Sequence, residues 1–158
     1  MNDQDIIDSR DIINRLEELE GELLACFNEQ QETECFTISD ESEEIYQASS
    51  VADRLFQNWL EDCRIEEAEE YKTLAELADQ GQSESSDWIH GETLIRRSYF
   101  VDYTEELIND CYEMPKQMHS GDWPFRHITI DYEAAAKELE QDYASIDFDG
   151  VEYLIRSC

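Results

Sequence analysis

The chain has 158 residues, with 41 acids against 11 bases and a formal charge of −30. A field of that sign repels nucleic acid and anionic membrane and steers basic partners, so direct nucleic-acid binding and membrane association are set aside. The ordinary 41% of hydrophobic residues argues against wholesale disorder, and the length suits one domain or two small ones.

The charge is uneven. Residues 1–90 hold 26 acids and 5 bases, net −21, whereas residues 91–158 hold 15 and 6, net −9. Five cysteines, Cys26, Cys35, Cys63, Cys111 and Cys158, are odd in number and widely spaced, and the opening MNDQDIIDSRD is acidic. That pattern predicts a reducing cytoplasm and no secretory signal. No apolar run approaches the length a bilayer span needs.

In chain order, Asp8 or Ser9 can cap a helix whose Ile12, Leu16, Leu19, Leu23 and Cys26 recur at alternating spacings of four and three, with Ile13 and Phe27 widening the stripe. This is a seam for another helix, within the chain or across a homodimer. Glu17, Glu18, Glu20 and Glu22 take the outer face, with Gly21 among them. From Asn28 to Ser50 periodicity is lost, and the tract reads as a loop or insertion, with a short strand at Cys35 to Ile38 as the one candidate element. Ser49 or Ser50 then caps a second helix carrying Val51, Leu55, Trp59 and Leu60 on one side.

The densest acid follows. Glu61 to Asp79 holds eight carboxylates, Glu61, Asp62, Glu66, Glu67, Glu69, Glu70, Glu76 and Asp79, against Arg64 and Lys72. Ile65, Ala68, Tyr71, Leu74, Ala75 and Leu77 give the same stretch an apolar side. It either continues the second helix or bends near Asp62 to Arg64. Gly81 is placed to end it, and Gln80 to Ser86 reads as a linker. Like charges three and four apart weaken an isolated helix by a few tenths of a kcal/mol per pair, so helix stability does not explain this composition.

After the linker comes a helix from about Tyr99 to Tyr112, with Phe100, Tyr103, Leu107 and Cys111 facing in, stopped by Met114 and Pro115. A loop through Gly121, Trp123 and Pro124 leads to a helix capped by Asp131 and lined by Ala135, Ala136 and Leu139. The end, SIDF then Asp149-Gly150 then VEYLI, predicts a β-hairpin with a type I′ turn. Ile146, Phe148, Val151 and Tyr153 or Leu154 fall near one packing layer. The predicted fold is therefore α+β and predominantly helical: an acidic helical region at 1–80, with a loop at about 28–50, and a helix and β-hairpin module at 81–158.

Reactive chemistry finds little support. Carboxylate pairs abound, but acid and base roles need environments that push two pKa values apart. His90, His119 and His127 each sit in a turn or beside a cap, and no zinc, EF-hand or phosphate-loop spacing occurs. No catalytic residue, metal ligand or cofactor is predicted. The carboxylates themselves are the candidate functional groups, because phosphate contacts supply most non-specific DNA affinity and a rigid array of acids can compete for the same basic cleft. On charge alone the partner-binding residues are Glu17, Glu18, Glu20, Glu22, Glu61, Asp62, Glu66, Glu67, Glu69, Glu70, Glu76 and Asp79.

The stretches DSRDIINRLEELE (Asp8 to Glu20), SSDWIHGETLIRRSYF (Ser85 to Phe100), YTEELI (Tyr103 to Ile108), HITIDYEAAAKELEQDY (His127 to Tyr143) and FDGVEYLIR (Phe148 to Arg156) resemble small acidic phage proteins of the ArdA-like antirestriction family. The likeness covers roughly residues 8–25 and 61–156. It implies an acidic dimer that imitates bent B-form DNA and blocks type I restriction-modification enzymes. The leading expectation is thus a non-enzymatic DNA mimic whose partner is a basic DNA-binding protein, a restriction enzyme. An anti-CRISPR protein on a CRISPR effector, and an acidic protein adapted only for solubility, are the alternatives.

Overall fold

The computed structural model describes residues 3–37 and 47–157. Its fold is α+β and predominantly helical. The chain divides into two compact units, one formed by Met1–Ser9 with Gln80–Cys158 and the other by Arg10–Asp79. The first nine residues therefore belong with the C-terminal half, which the division into 1–80 and 81–158 does not foresee.

In the first unit the tight turn lies at Asp149-Gly150, whose φ angles of 51° and 78° are the positive pair a type I′ turn requires. It joins β3 (Tyr143–Phe148) to β4 (Val151–Arg156), in register from Phe148 opposite Val151 to Tyr143 opposite Arg156. A bare hairpin is marginal in water, and here it is extended by β2 (Thr93–Arg96) and β1 (Ile6–Asp8) into an antiparallel sheet of order β1-β2-β4-β3. Interior position explains why β4 carries three successive buried residues, Tyr153, Leu154 and Ile155, rather than an alternating pattern. Helices α5 (Phe100–Cys111) and α6 (Tyr132–Leu139) pack on the sheet through a core of Ile95, Phe100, Ala136 and Leu154. Asp131 caps α6, its carboxylate accepting from the Ala134 N–H at 3.0 Å. Cys111, expected to face in, is exposed.

Edge strand β3 shows how a free sheet edge is closed. In a hairpin with this register the N–H and C=O of Asp147 point away from β4. The Gln80 side chain takes both, its amide oxygen accepting from Asp147 N at 3.0 Å and its nitrogen donating to Asp147 O at 3.2 Å. One side-chain amide stands in for a neighbouring strand.

Gln80 lies within α3 (Glu66–Glu84), and so does Gly81. Both the helix end at Gly81 and the linker from Gln80 are corrected. The glycine serves close approach: a Cβ there would lie 2.0 Å from Cζ3 and 2.2 Å from Cε3 of the Trp88 ring. Trp88, itself 1% exposed, opens the single turn α4 (Trp88–Gly91). Buried Ser9 closes the knot. Its hydroxyl donates to Trp88 O at 2.6 Å and accepts from Glu92 N at 2.7 Å, and its own N–H donates to Glu92 O at 2.8 Å.

The second unit is helical. Helix α1 (Ser9–Thr37) runs ten residues past Phe27, so Asn28 to Thr37 is helix rather than loop, and Cys35 to Thr37 is not a strand; Ile38 lies outside the described residues. Along α1, Ile12, Leu19, Leu23 and Phe27 are buried. Residue 28 then fixes the returning chain, Asn28 exchanging two hydrogen bonds of 3.0 and 2.8 Å with the backbone of Ala48. Helix α2 (Arg54–Asp62) is capped by Asp53, whose carboxylate accepts from Leu55 N and Phe56 N, not by Ser49 or Ser50. The later start rotates the inward face: Phe56 and Leu60 are buried while Leu55 is 50% exposed. The core joins Leu23, Phe27, Ala48, Phe56, Leu60 and Ala68, with the rings of Phe27, Phe56 and Trp59 5.6 to 5.7 Å apart.

Two substitutions test the knot in the first unit. Gly81→Ala should destabilise the protein by about 1–3 kcal/mol through overpacking against Trp88. Ser9→Ala should cost about 2 kcal/mol by stranding the Trp88 carbonyl and the Glu92 N–H. Chemical denaturation followed by tryptophan fluorescence reads both, and a Gly81→Ala protein as stable as its parent would refute the packing argument.

Candidate functional site

Acid reaches the surface of the second unit because α1, α2 and α3 each bury one side and turn the other outward. Residues 10–79 hold 21 acids against 5 bases, net −16. Of the twelve predicted partner-binding residues, ten are exposed, and Glu20 and Glu70 are half-buried. They do not form one rod. Helix α2 stops at Asp62, with Cys63 extended at ψ 131°, and α3 begins at Glu66, so Glu61 and Asp62 ride on a different helix from the other six. Ile65, expected on the apolar side, sits in this break and is 39% exposed.

Three of the five bases here, Arg15, Arg64 and Lys72, pair with acids. Arg15 of α1 grips Glu70 of α3 with two hydrogen bonds, Nε to Oε1 at 3.0 Å and Nη2 to Oε2 at 2.7 Å, and also donates to Glu18 at 3.2 Å. This planar fork is the arrangement in which arginine binds a carboxylate best. Lys72 donates to Glu69 at 3.1 Å and to the Cys63 carbonyl at 2.9 Å, so it satisfies the end of α2 as well. Arg64 donates to the same Glu69 at 3.1 Å. Hydrogen bonds from Lys72 and Arg64 hold Glu69 below the usual carboxylate range, and the Arg15 bond does the same for Glu70. The Tyr71 hydroxyl donates to Glu20 at 3.3 Å, and burial, then the Glu20 charge, pushes that phenol up.

After these pairings, Glu17, Glu22, Glu61, Asp62, Glu66, Glu67, Glu76 and Asp79 make no ion pair among the described residues. From Glu66 to Asp79 the helix is roughly 20 Å long, and its four uncompensated carboxylates lie about 5 Å apart on average, where duplex DNA has one charge per ~1.7 Å. One helix is thus sparser than a duplex, and α1 must contribute. Arg15–Glu70 and Tyr71–Glu20 hold α1 and α3 together, bringing Glu17, Glu18 and Glu22 into the same unit as the α3 acids.

The site also includes residues that sequence reasoning passed over. Because α1 continues past Phe27, Glu29 and Glu32 are exposed helix residues. Asp11, Glu18, Glu22 and Glu29 follow one line at spacings of seven, four and seven. That spacing was available in the sequence as a signal that the helix does not end at Asn28. Arg15, which sets the α1 to α3 contact, carries no local sign of its role.

The carboxyls of Glu69, Glu70 and Glu152 are all held low, the opposite of what a general acid needs. His90, His119 and His127 are exposed. Among the described residues, no group of three or more His, Cys, Asp or Glu side chains could hold a metal ion, and no helix is long and apolar enough to cross a membrane.

The Arg15–Glu70 bridge gives a signed prediction. Glu70 is depressed in the fold, so its contribution is fully present above the unfolded carboxyl value of about 4.3 and is lost as pH falls through the lower folded value. A double-mutant cycle with Arg15→Met and Glu70→Gln should give a favourable coupling at pH 7, reduced by solvent screening because both side chains are about one-third exposed. The coupling should disappear once pH falls below the depressed folded value of Glu70, while general relief of acid repulsion, common to all four proteins, cancels from the cycle.

Comparison with protein-family models, curated proteins and solved structures returned no match to this chain.

Proposed function

We propose that the protein is a non-enzymatic inhibitor that presents fixed carboxylates to the basic nucleic-acid cleft of a prokaryotic defence enzyme. A type I restriction-modification enzyme is the first target to test, on the strength of the sequence resemblance. One observation carries the reading. The acid of α1, α2 and α3 is displayed on a folded support, and three of the unit's five cations tie down Glu18, Glu69 and Glu70 while eight of the selected carboxylates make no ion pair among the described residues.

A cleft built for phosphates loses its counterions when an anionic surface enters, whichever polymer carries the charge. Carboxylates fixed on helices enter with little further ordering cost, whereas a disordered acidic tail would have to order on binding. Catalysis by this chain is not required, and its action is stoichiometric occupancy. The sparser spacing on α3 means that the cleft is met at a subset of its phosphate sites.

The test is inhibition of a purified type I restriction enzyme, with a CRISPR effector complex in a parallel arm, as salt is raised. Apparent affinity should fall at least tenfold between 50 and 300 mM salt, following the counterion-release behaviour of ligands with several phosphate-like contacts. Joint substitution of Glu17, Glu22, Glu66 and Glu67 by Lys should cost at least tenfold, about 1.4 kcal/mol. The same change at Glu105 and Glu133, in the other unit, serves as control. Salt-independent inhibition that survives the fourfold reversal would reject mimicry.

A further inference from the structure

In the first unit, the α5–α6 contact leaves an open groove. Phe100 packs into the core and Thr104 is buried, and Ala136 does the same on α6. Farther along lies an open cavity of about 490 Å³ whose lining includes Leu107, Ile108, Tyr112, Met114 and Leu139. Tyr112 is 65% exposed. The only charged side chains lining it are Glu138 and Asp142, both acids. A second depression shares Tyr112 and Met114 with it and adds Asp110 and Glu113, together with Lys116 and His119.

An apolar lining that includes two carboxylates restricts the occupant. An acidic segment is repelled by Glu138 and Asp142, and a wholly apolar one leaves the attraction of these two exposed carboxylates unused. A segment with a large apolar side chain next to a lysine or arginine satisfies both demands, because the apolar group lies against Leu107, Ile108, Met114 and Leu139 while the cation meets Glu138 or Asp142. The volume accommodates one or two large side chains, and an exposed tyrosine beside a flexible methionine is typical of a contact surface that adapts to its partner.

We propose that this groove docks a basic segment of a partner protein, one large apolar side chain entering between α5 and α6 with Lys or Arg beside it. This surface shares no residue with the carboxylates selected on α1, α2 and α3 and does not depend on the mimicry reading.

The experiment uses the full chain and three synthetic peptides, with methyl NMR as the readout. The probe is Lys-Arg-Trp-Leu-Arg-Lys; one comparison peptide replaces Trp-Leu by Ala-Ala, and the other replaces every base by Glu. The probe should shift the methyl signals of Leu107, Ile108, Met114 and Leu139, and neither comparison peptide should. Glu138→Lys, on an exposed side chain, and Leu107→Gln should each weaken probe binding at least fivefold; if Leu107→Gln fails to fold, Ile108→Gln takes its place. The protein with Glu17, Glu22, Glu66 and Glu67 changed to Lys should retain the groove shifts, which separates this result from failure of the inhibitor reading. Equal shifts from the Ala-Ala peptide, shifts confined to the acids of α1 and α3, or no methyl response to the probe at millimolar concentration would each overturn the proposal.

Discussion

The ring of Trp88 lying on the bare backbone of Gly81 is the constraint on which the rest of the first unit depends. It needs a residue with no side chain inside a helix, where glycine costs roughly 1 kcal/mol relative to alanine, and it recovers more than that by burying an indole at 1% exposure. Ser9 ties the same tryptophan's carbonyl to the start of α1, and Glu92 to Ser9 leads directly into the β1–β2 pairing. Residues far apart in sequence, at 9, 81, 88 and 92, therefore settle together. This explains why the opening nine residues belong with the C-terminal half. It also places Gln80, one residue before the glycine, where its amide can close the edge of β3.

A net charge of −30 makes every cation consequential, and those with resolved partners sit at joints. Arg15 joins α1 to α3, and Lys72 joins α3 to the end of α2. In the other unit, Arg97 takes Glu140 after α6 and Glu152 on β4. Spread over helix surfaces, the same few bases would each relieve a few tenths of a kcal/mol of repulsion. At joints they also fix the geometry of two elements, while the remaining acid stays uncompensated at the surface. That distribution leaves the uncompensated acid to act as a field, which the proposed inhibitor role would use.

What was legible in the sequence was local. Asp149-Gly150 between alternating strands, Asp131 before Tyr132, and the α1 stripe through Ile12, Leu19 and Leu23 each act over one or two turns of chain, and the structure contains all three. A glycine near the end of an acidic run looks the same whether it ends a helix or receives a ring from seven residues away, so Gly81 reads as a stop. Ser49 or Ser50 reads as a cap because serine caps well, but the helix starts at Arg54, with Asp53 as its cap and Phe56 buried. The N-terminal strand was missed for a stronger reason: Ile6 to Asp8 is too short to show a period, and its partner, Thr93 to Ile95, lies some ninety residues away. For the site, the identity of the acids could be read directly, but not which of them a base would neutralise. Arg15–Glu70 spans 55 positions, beyond the reach of any helical spacing rule.

Charge and apolar contact contribute to association at different stages. A long-range field raises the encounter rate of an oppositely charged partner and is screened over about 8 Å at physiological ionic strength, but any sufficiently basic surface benefits from it. Discrimination comes from short-range fit, where a buried side chain must find a cavity of its own size and each desolvated polar group a partner. The acids of α1, α2 and α3 are of the first kind. The cavity lined by Leu107, Ile108, Met114 and Leu139 is of the second, and its two acidic lining residues match it to the same sign of partner that the field attracts. An inhibitor made only of displayed charge would bind nucleic-acid enzymes, ribosomal proteins and basic peptides alike. A protein that carries both features has the means to collect basic surfaces quickly and to retain those that also present the right apolar side chain.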